Sequence, residues 1–459
     1  MNLRNLKFAG SFFPKDPVAL HDLLDSFDTE LSHKNAVTQA PPIAIITPHA
    51  GYQFSGKLAA AAYASCGPQR PERIVILSPS HRCRFDGIAV AGYQAYDVAG
   101  QVLPLDEDLR RDLVSRGWVQ HHDAAHEDEH GIETQLPFIS RRFKGARVLP
   151  LVIGNTTPQA VAAVIDQIMS QVQEKLLFVL SRDLSHFHDH DAAQKLDAQA
   201  AGLIETGQFD GLGPTLACGH LAIAGFLASA AGQATRVLRL AMSDSFAVTQ
   251  DAKRVVGYGA WAFFPTECEI LSPIHRETLL RVARQGTGMF LNAGRKPHIM
   301  LNSFAAPLQG YMPCFITLTH NDRLRGCIGS LAACAPLISD AVANGIKAAT
   351  GDPRFTPLKT GQQLAQLRMK VAVLSRAAAL EFNDQDDLLS KITPGISGLI
   401  LQCGKRRGTF LPMVWDSLPE RKSFLDALKV KAGLTTDFWS EDIKVLQFHA
   451  ESFADPPKA

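Results

Sequence analysis

Ile43-Ala-Ile-Ile46 runs into Thr47-Pro48-His49, Ile74-Val-Ile-Leu77 into Ser78-Pro79-Ser80-His81, and Leu176-Leu-Phe-Val-Leu180 into Ser181-Arg182-Asp183-Leu184-Ser185-His186. Each is a short continuous apolar run closed by polar or turn residues, the pattern of a strand covered on both faces. Val148-Leu-Pro-Leu-Val-Ile153 repeats it, and residues 255–264 add a β-rich run ending at Pro265. Helical stretches lie between the runs. Asp16-Pro17 supplies an N-cap and a first-turn proline. Residues 56–64 are rich in small side chains suited to close packing on a sheet, and residues 158–173 form another helical stretch. The alternation predicts an α/β unit over residues 1–264, a mixed or parallel sheet flanked by helices.

Beyond it the pattern changes. Residues 265–272 read as a linker, and Ser272-Pro273 opens a helix through residue 284. Strand signals follow at 314–319, 371–374 and 398–401, with a turn at Asn321-Asp322 and a helix over 336–349. Residues 273–459 are therefore expected to form a smaller α+β domain with its own core. The total of 459 residues suits such a division, at about 100–200 residues per domain.

Composition narrows the function classes. With 46 Lys+Arg against 45 Asp+Glu, the chain has no broad attraction for nucleic acid or an anionic membrane. The apolar runs stop far short of the roughly 18 residues that span a bilayer. Residues 8–13 are too short, and Pro14 too close, for a secretory apolar region, so a cytoplasmic location is expected. The eight cysteines are scattered without a C-x-x-C pair, which argues against disulfide, Cys-rich zinc and iron–sulfur sites. Twelve of the 16 histidines precede residue 265. Whatever the imidazoles do belongs mostly to the first part.

Three of them stand where predicted strands end. Ligands and reacting groups gather outside the carboxyl ends of strands in open α/β sheets, and imidazole is the commonest metal-binding side chain. His49, His81 and His186 are thus the candidate metal ligands, with Asp183 or Glu133 as a carboxylate partner. Such a set leaves coordination positions open on iron, zinc or copper. Against this stands the plain alternative that each is an ordinary loop histidine. His126-Glu127-Asp128-Glu129-His130 offers a rival, since it satisfies H-E-x-x-H. Its acidic crowding and the glycine at 131 fit a solvated turn better than a zincin helix. Glu129 and Glu133, four apart, are still expected to point one carboxylate at the strand-end cluster. Cys218, beside a glycine turn, is a candidate pocket residue, and Ser243 follows a strand-like stretch at 237–240 and is a candidate pocket wall. In the second part, Leu324-Arg-Gly-Cys-Ile-Gly329 sets Arg325 and Cys327 among glycines, a pattern able to bind carboxylate or phosphate, although Arg-held structural turns explain it as well.

These motifs resemble two known families. Phe8-Ala-Gly-Ser-Phe-Phe-Pro14, the stretch from Thr47 through Tyr52 to Gly56, Ser78-Pro-Ser-His81, Glu129-His-Gly-Ile-Glu-Thr-Gln-Leu-Pro137, Ser181-Arg-Asp-Leu-Ser-His186 and Arg254-Val-Val-Gly-Tyr258 resemble the Memo family. Leu324–Gly329, Asp352-Pro-Arg-Phe355, Gly398-Leu-Ile-Leu401, Gly408-Thr-Phe-Leu-Pro412 and Lys431-Ala-Gly-Leu434 resemble the AMMECR family. The chain looks like a fusion of the two proteins that accompany a radical-SAM enzyme in the AmmeMemoRadiSam system. The first resemblance implies a fold like that of class III extradiol dioxygenases, which use non-haem Fe(II). It implies a metal pocket at His49, His81 and His186, with Asp183, Glu133 and His130 as acid–base or orienting groups and Tyr52 in the pocket wall. Some Memo proteins place a cysteine ligand in the segment corresponding to 242–246. This chain has none there, so a site of histidines, with or without a carboxylate, is implied. Gly131 stands where the family often has serine.

Three functions are consistent with this. The first is a metal-dependent redox or dioxygenase-like protein, Fe(II) foremost, acting on a small molecule or peptide beside a radical-SAM partner. A non-catalytic module whose pocket binds a peptide or modified side chain is the second, and a zinc protease at His126 and His130 the third.

Overall fold

A computed structural model describes residues 2–32, 40–68, 70–213, 216 and 219–456. The chain divides into two compact units. One comprises the residues up to Pro265 together with Ile270–Ser272; the other comprises Thr266–Glu269 and the chain from Pro273 onward. The segment expected to be a linker is thus shared between them.

In the first unit the strands are β1 (Ala44–Thr47), β2 (Arg73–Pro79), β3 (Ile88–Val90), β4 (Gln120–His121), β5 (Arg147–Ile153), β6 (Leu176–Ser181), β7 (His186–His188), β8 (Thr235–Asp244) and β9 (Val255–Pro265). Among the described residues they form one nine-stranded mixed sheet, ordered β7-β9-β1-β6-β2-β5-β3-β4, with β8 also paired to β9. The four central strands β1, β6, β2 and β5 are mutually parallel, while β9 runs antiparallel to β1 and to β8. Continuous apolar strands require cover on both faces, and helices α1 (Tyr52–Ala64), α2 (Pro158–Gln171), α3 (His190–Thr206) and α4 (His220–Ala228) flank the sheet. Val161, Ile165 and Ile168 recur on one face of α2 and join Leu77, Leu151, Phe178, Leu180, Ile223 and Phe226 in the core. A small sheet of Leu3–Asn5, Ala95–Val98 and Gln101–Pro104 lies apart from the main one. Its strands are too short for their periodicity to stand out in sequence.

The second unit holds β10 (Cys314–His320), β11 (Arg323–Gly329), β12 (Arg368–Leu374), β13 (Ala378–Ala379), β14 (Gly398–Cys403), β15 (Arg406–Phe410), β16 (Lys444–Phe448) and β17 (Ala450–Ala454). They form two four-stranded sheets, β11-β10-β12-β17 and β13-β16-β14-β15. Asn321 and Asp322 take φ of 48° and 60°, the left-handed pair that a tight hairpin between β10 and β11 needs. Helix α5 (Leu337–Thr350) packs on the first sheet. Helix α6 (Arg421–Lys431) covers the second, where Phe424 stacks on Trp415 with ring centroids 3.7 Å apart.

Candidate metal centre

β1, β6 and β2 are neighbours and parallel, so their carboxyl ends open on one edge of the sheet, with Thr47 in register with Ser181. His49 follows β1, His81 follows β2, and the middle strand β6 ends in Ser181 with Asp183 just beyond. Local chain chemistry puts the side chains at this edge; hydrogen bonding then fixes the rings.

Ser181 Oγ lies 2.6 Å from the Gly131 carbonyl, which can only accept, so the hydroxyl donates there. Having one proton, it must accept from its other partners, Gln135 Nε2 at 3.0 Å and His49 Nδ1 at 3.1 Å. Gln135 is itself oriented by Tyr63, whose hydroxyl donates to Oε1, and by its own donation to the Pro48 carbonyl. His49, 1% exposed, therefore carries its proton on Nδ1, and in the neutral ring Nε2 is the lone-pair nitrogen.

His81 is set in the same way by a carboxylate. Glu129 accepts the His81 ring Nδ1–H at 2.8 Å and its backbone N–H at 2.9 Å, together with the Gly131 N–H at 2.8 Å. Burial alone would push the Glu129 carboxyl up. The hydrogen bonds and charge of His81, with His130 beyond, outweigh burial and hold it below its ordinary range. An ionised Glu129 behind Nδ1 again leaves Nε2 as the coordinating nitrogen, the arrangement by which carboxylates orient metal-bound histidines.

The third ring is His130, at the start of the short helix His130–Glu133. Its centroid lies 4.3 Å from that of His81 and 5.1 Å from that of His49. On its other side it packs against Phe12 at 4.7 Å and Phe8 at 5.7 Å. One ligand atom from each of His49, His81 and His130 lies within 4.8 Å of the others. Among the described residues no other group of three or more His, Cys, Asp or Glu is so arranged. The donor set thus fits a divalent metal. Backbone space is tight here, since a Cβ at Gly131 would stand 2.2 Å from Ser78 Oγ and 3.0 Å from His49 Nδ1.

The other expected residues distribute around this cluster. His186 lies on β7, its Nδ1 donating to the Leu184 carbonyl at 2.9 Å; the convergent group has His130 in its place. Asp183 is buried, accepts the His49 backbone N–H at 2.9 Å, and holds Oδ2 3.9 Å from His49 Nε2. Glu133 faces Arg4 and the Phe8 backbone N–H, at 3.0 and 2.9 Å, and so anchors the segment that brings Phe8 and Phe12 over His130. Tyr52 donates to the Thr134 carbonyl at 2.7 Å. It lines a cavity of about 710 Å³ together with Phe12, Lys57 and Ser243. Cys218 lies outside the described residues. In the second unit, Arg325 donates to the Thr356 carbonyl, and Cys327 lies on β11 beside Thr317.

The H-E-x-x-H alternative does not survive. His126 and His130 sit on separate short helices, Asp123–Glu127 and His130–Glu133. His126 donates Nε2–H to the Ala89 carbonyl at 3.1 Å, and burial lowers its pKa to about 4. A zincin needs both rings on one continuous helix face.

Sequence reasoning assigned no role to Ser181, Gln135 or Tyr258. Ser181 and Gln135 occur in quoted motifs, but nothing local marks a serine as the acceptor that sets a tautomer. Burial, with the Asp183 and Asp244 carboxylates adding to it, pushes the Tyr258 phenol up and keeps its hydroxyl protonated.

Known proteins bear on these observations. Among the curated relatives, protein MK0488 of Methanopyrus kandleri is 34% identical over 39% of this chain and 87% of its own length. The MEMO1 family protein MK0963 of the same organism is 30% identical over 57% of this chain and 98% of its own. A crystal structure of the uncharacterised protein PH0010 from Pyrococcus horikoshii matches with 32% identity and a TM-score of 0.37, covering 39% of this chain and 91% of that one. Residues 4–262 match the Memo-like protein family and residues 280–453 match AMMECR1. With more than half its length inside the first match, this chain belongs to the Memo-like family and carries an AMMECR1 domain behind its Memo domain.

Proposed function

We propose that the Memo domain is a metal-dependent redox protein of the non-haem, dioxygenase-like type, acting on a small molecule or peptide in concert with a radical-SAM partner. The observation that carries this reading is the pair of Nδ1 protons committed to Ser181 and Glu129, which turns Nε2 of His49 and His81 into coordinating atoms beside His130. A divalent metal, Fe(II) foremost with zinc or copper as alternatives, would supply one-electron chemistry or Lewis acidity, with coordination positions open to substrate.

The chain's own groups have definable tasks. Glu129 and Ser181 hold two rings in one tautomer, so no proton shift between ring nitrogens is needed on metal entry. Phe8 and Phe12 close over His130 and keep water from that face. Asp183, 3.9 Å from His49 Nε2, is placed to take a proton from a bound ligand, and Tyr258 offers a protonated hydroxyl within range of Asp183. Elemental analysis of protein purified with and without air tests the proposal. About one equivalent of metal is expected, and it is lost in His49→Ala. An absence of metal from both preparations, or the same stoichiometry in the variant, would sink it. Co-purification with an iron–sulfur radical-SAM protein tests the partnership separately.

A further inference from the structure

The second unit holds a cluster that the metal chemistry leaves unused. Gly326 lets β11 press onto the end of α5, since a Cβ there would stand 2.2 Å from the Ala348 carbonyl oxygen. Gly408 similarly lets β15 approach the end of α6, where a Cβ would lie 2.9 Å from the Ala432 nitrogen. These two close approaches gather residues from distant parts of the chain around Cys327. Asp352, just past α5, accepts the Cys327 backbone N–H at 2.8 Å and the Arg354 guanidinium at 2.7 and 2.9 Å. Arg354 reaches the Cys327 carbonyl at 3.4 Å. From the facing position on β10, Thr317 Oγ1 lies 3.2 Å from Cys327 Sγ. Lys431, the last residue of α6, is held over the Phe410 ring at 4.8 Å and donates to the Thr409 carbonyl at 2.7 Å. Burial and repulsion from Arg354 lower the pKa of Lys431, and the Cys327 thiol opposes that fall. Arg325 and Arg354 both lie over Phe355.

Arg354 thus reaches the carbonyl of half-buried Cys327, Arg325 lies over the same Phe355 ring as Arg354, and Asp352 is already spent on Arg354. The surplus is positive. Guanidinium and ammonium groups near a nucleophilic side chain select an anionic reaction partner.

We propose that Cys327 is the nucleophile of an anion-binding site in the AMMECR1 domain, one that takes a small electrophile bearing a carboxylate or phosphate held by Lys431, Arg354 and Arg325. In the step it performs, Sγ forms the bond to the electrophilic carbon. The leaving group departs with the electron pair of the broken bond, and the thiol proton passes to solvent. Thr317 is placed to donate to the sulfur and orient it.

The test compares alkylation of the full-length protein by iodoacetate and by iodoacetamide, resolved by site with peptide mass spectrometry. In both reactions the S–C bond forms as iodide leaves; the reagents differ in charge. Exposed Cys334 in the same molecule is the internal reference. The ratio of iodoacetate to iodoacetamide rates is expected to be about tenfold higher at Cys327 than at Cys334. Lys431→Gln should cut that ratio several-fold, and inorganic phosphate or acetate should slow alkylation at Cys327 alone. Protection by phosphate but not acetate, or the reverse, identifies which anion the site holds. Equal ratios at the two cysteines, or no protection by either anion, overturn the proposal. The protection experiment needs no variant, so it decides the matter even if Lys431→Gln does not fold.

Discussion

The two chemical clusters of this chain are built on opposite principles. In the Memo domain, two imidazoles follow buried parallel strands and a third opens a short helix beside them, and the groups behind His49 and His81 have assigned hydrogen-bond roles. Ser181 spends its proton on Gly131, and Glu129 spends its oxygens on His81 and Gly131. In the AMMECR1 domain half-buried Cys327 lies on a strand whose backbone Arg354 and Asp352 contact, with Arg325 over the same Phe355 ring as Arg354. Rings whose Nδ1 is committed to an acceptor turn Nε2 to a cation; a surplus of cations suits an anion. The contrast shows that the same α/β economy of means, strand ends and helix ends brought together, yields sites of opposite sign depending on what the second layer does with its protons and charges.

Loss of metal is the largest effect that would sharpen this contrast. His49→Ala, His81→Ala and His130→Ala should each bring bound metal to background by elemental analysis, while His186→Ala retains it. Retention in His130→Ala with loss in His186→Ala would break the three-ring assignment. No substitution at Cys327 should alter metal content.

Next comes the pH response of the Memo domain. His126 is buried with a folded pKa of about 4 against an ordinary 6.5. A lowered histidine pKa means the unfolded chain binds the extra proton first. Its stabilising contribution is therefore intact above pH 6.5 and lost as pH falls from there to about 4. The full loss is about 3 kcal/mol at 1.4 kcal/mol per pH unit. Protection against hydrogen exchange at the Ala89 and His126 segments, relative to the intrinsic rate at each pH, should fall over that window, and His126→Phe should flatten the dependence. In the second unit, Asp352 is held well below the ordinary carboxylate range by Arg354 against the pull of burial, helped by the Cys327 N–H. Its contribution is present above the usual carboxylate pKa and is lost only in stronger acid. Protection against exchange around Cys327, relative to the intrinsic rate at each pH, should stay flat between pH 6.5 and 4.

Glu129→Gln is expected to lower metal affinity about 10–100-fold, because the amide no longer enforces the His81 tautomer by charge. Competition with a chelator measures it, and an unchanged affinity would reduce Glu129 to a packing group. The smallest effect concerns space. Gly131→Ser should destabilise the domain by about 1–3 kcal/mol, since the new Cβ meets Ser78 Oγ. Ser78→Gly in the same molecule should recover most of that loss, a coupling that a thermal double-mutant cycle reads directly.

Much of the fold was legible because burial on both faces writes itself as uninterrupted apolar runs. The runs at 43–46, 74–77, 148–153 and 176–180 became four adjacent parallel strands. The Asn321-Asp322 turn was equally plain, since few residues tolerate two positive φ angles in succession. The sheet of Leu3–Asn5, Ala95–Val98 and Gln101–Pro104 was not legible, because three or four residues carry too little pattern. At the site, His49 and His81 stood out by their place after strands. The role of His130 was obscured because its neighbours spell an H-E-x-x-H motif, and only the break between two short helices shows that His126 turns away to Ala89.

The amino-acid sequence by itself determined the division into a Memo and an AMMECR1 domain, the parallel core of the first, and the delivery of His49, His81 and Asp183 to one sheet edge. These follow from local pattern and chain direction. Tertiary structure alone decided that Glu129, not Glu133, stands behind His81, that His130 joins His49 and His81, and that Asp352 and Arg354 meet the Cys327 backbone. The reason is physical: whether a carboxylate points at a ring or at Arg4 depends on the turn that carries it and on which buried donors remain to be satisfied, and neither is a property of nearby sequence.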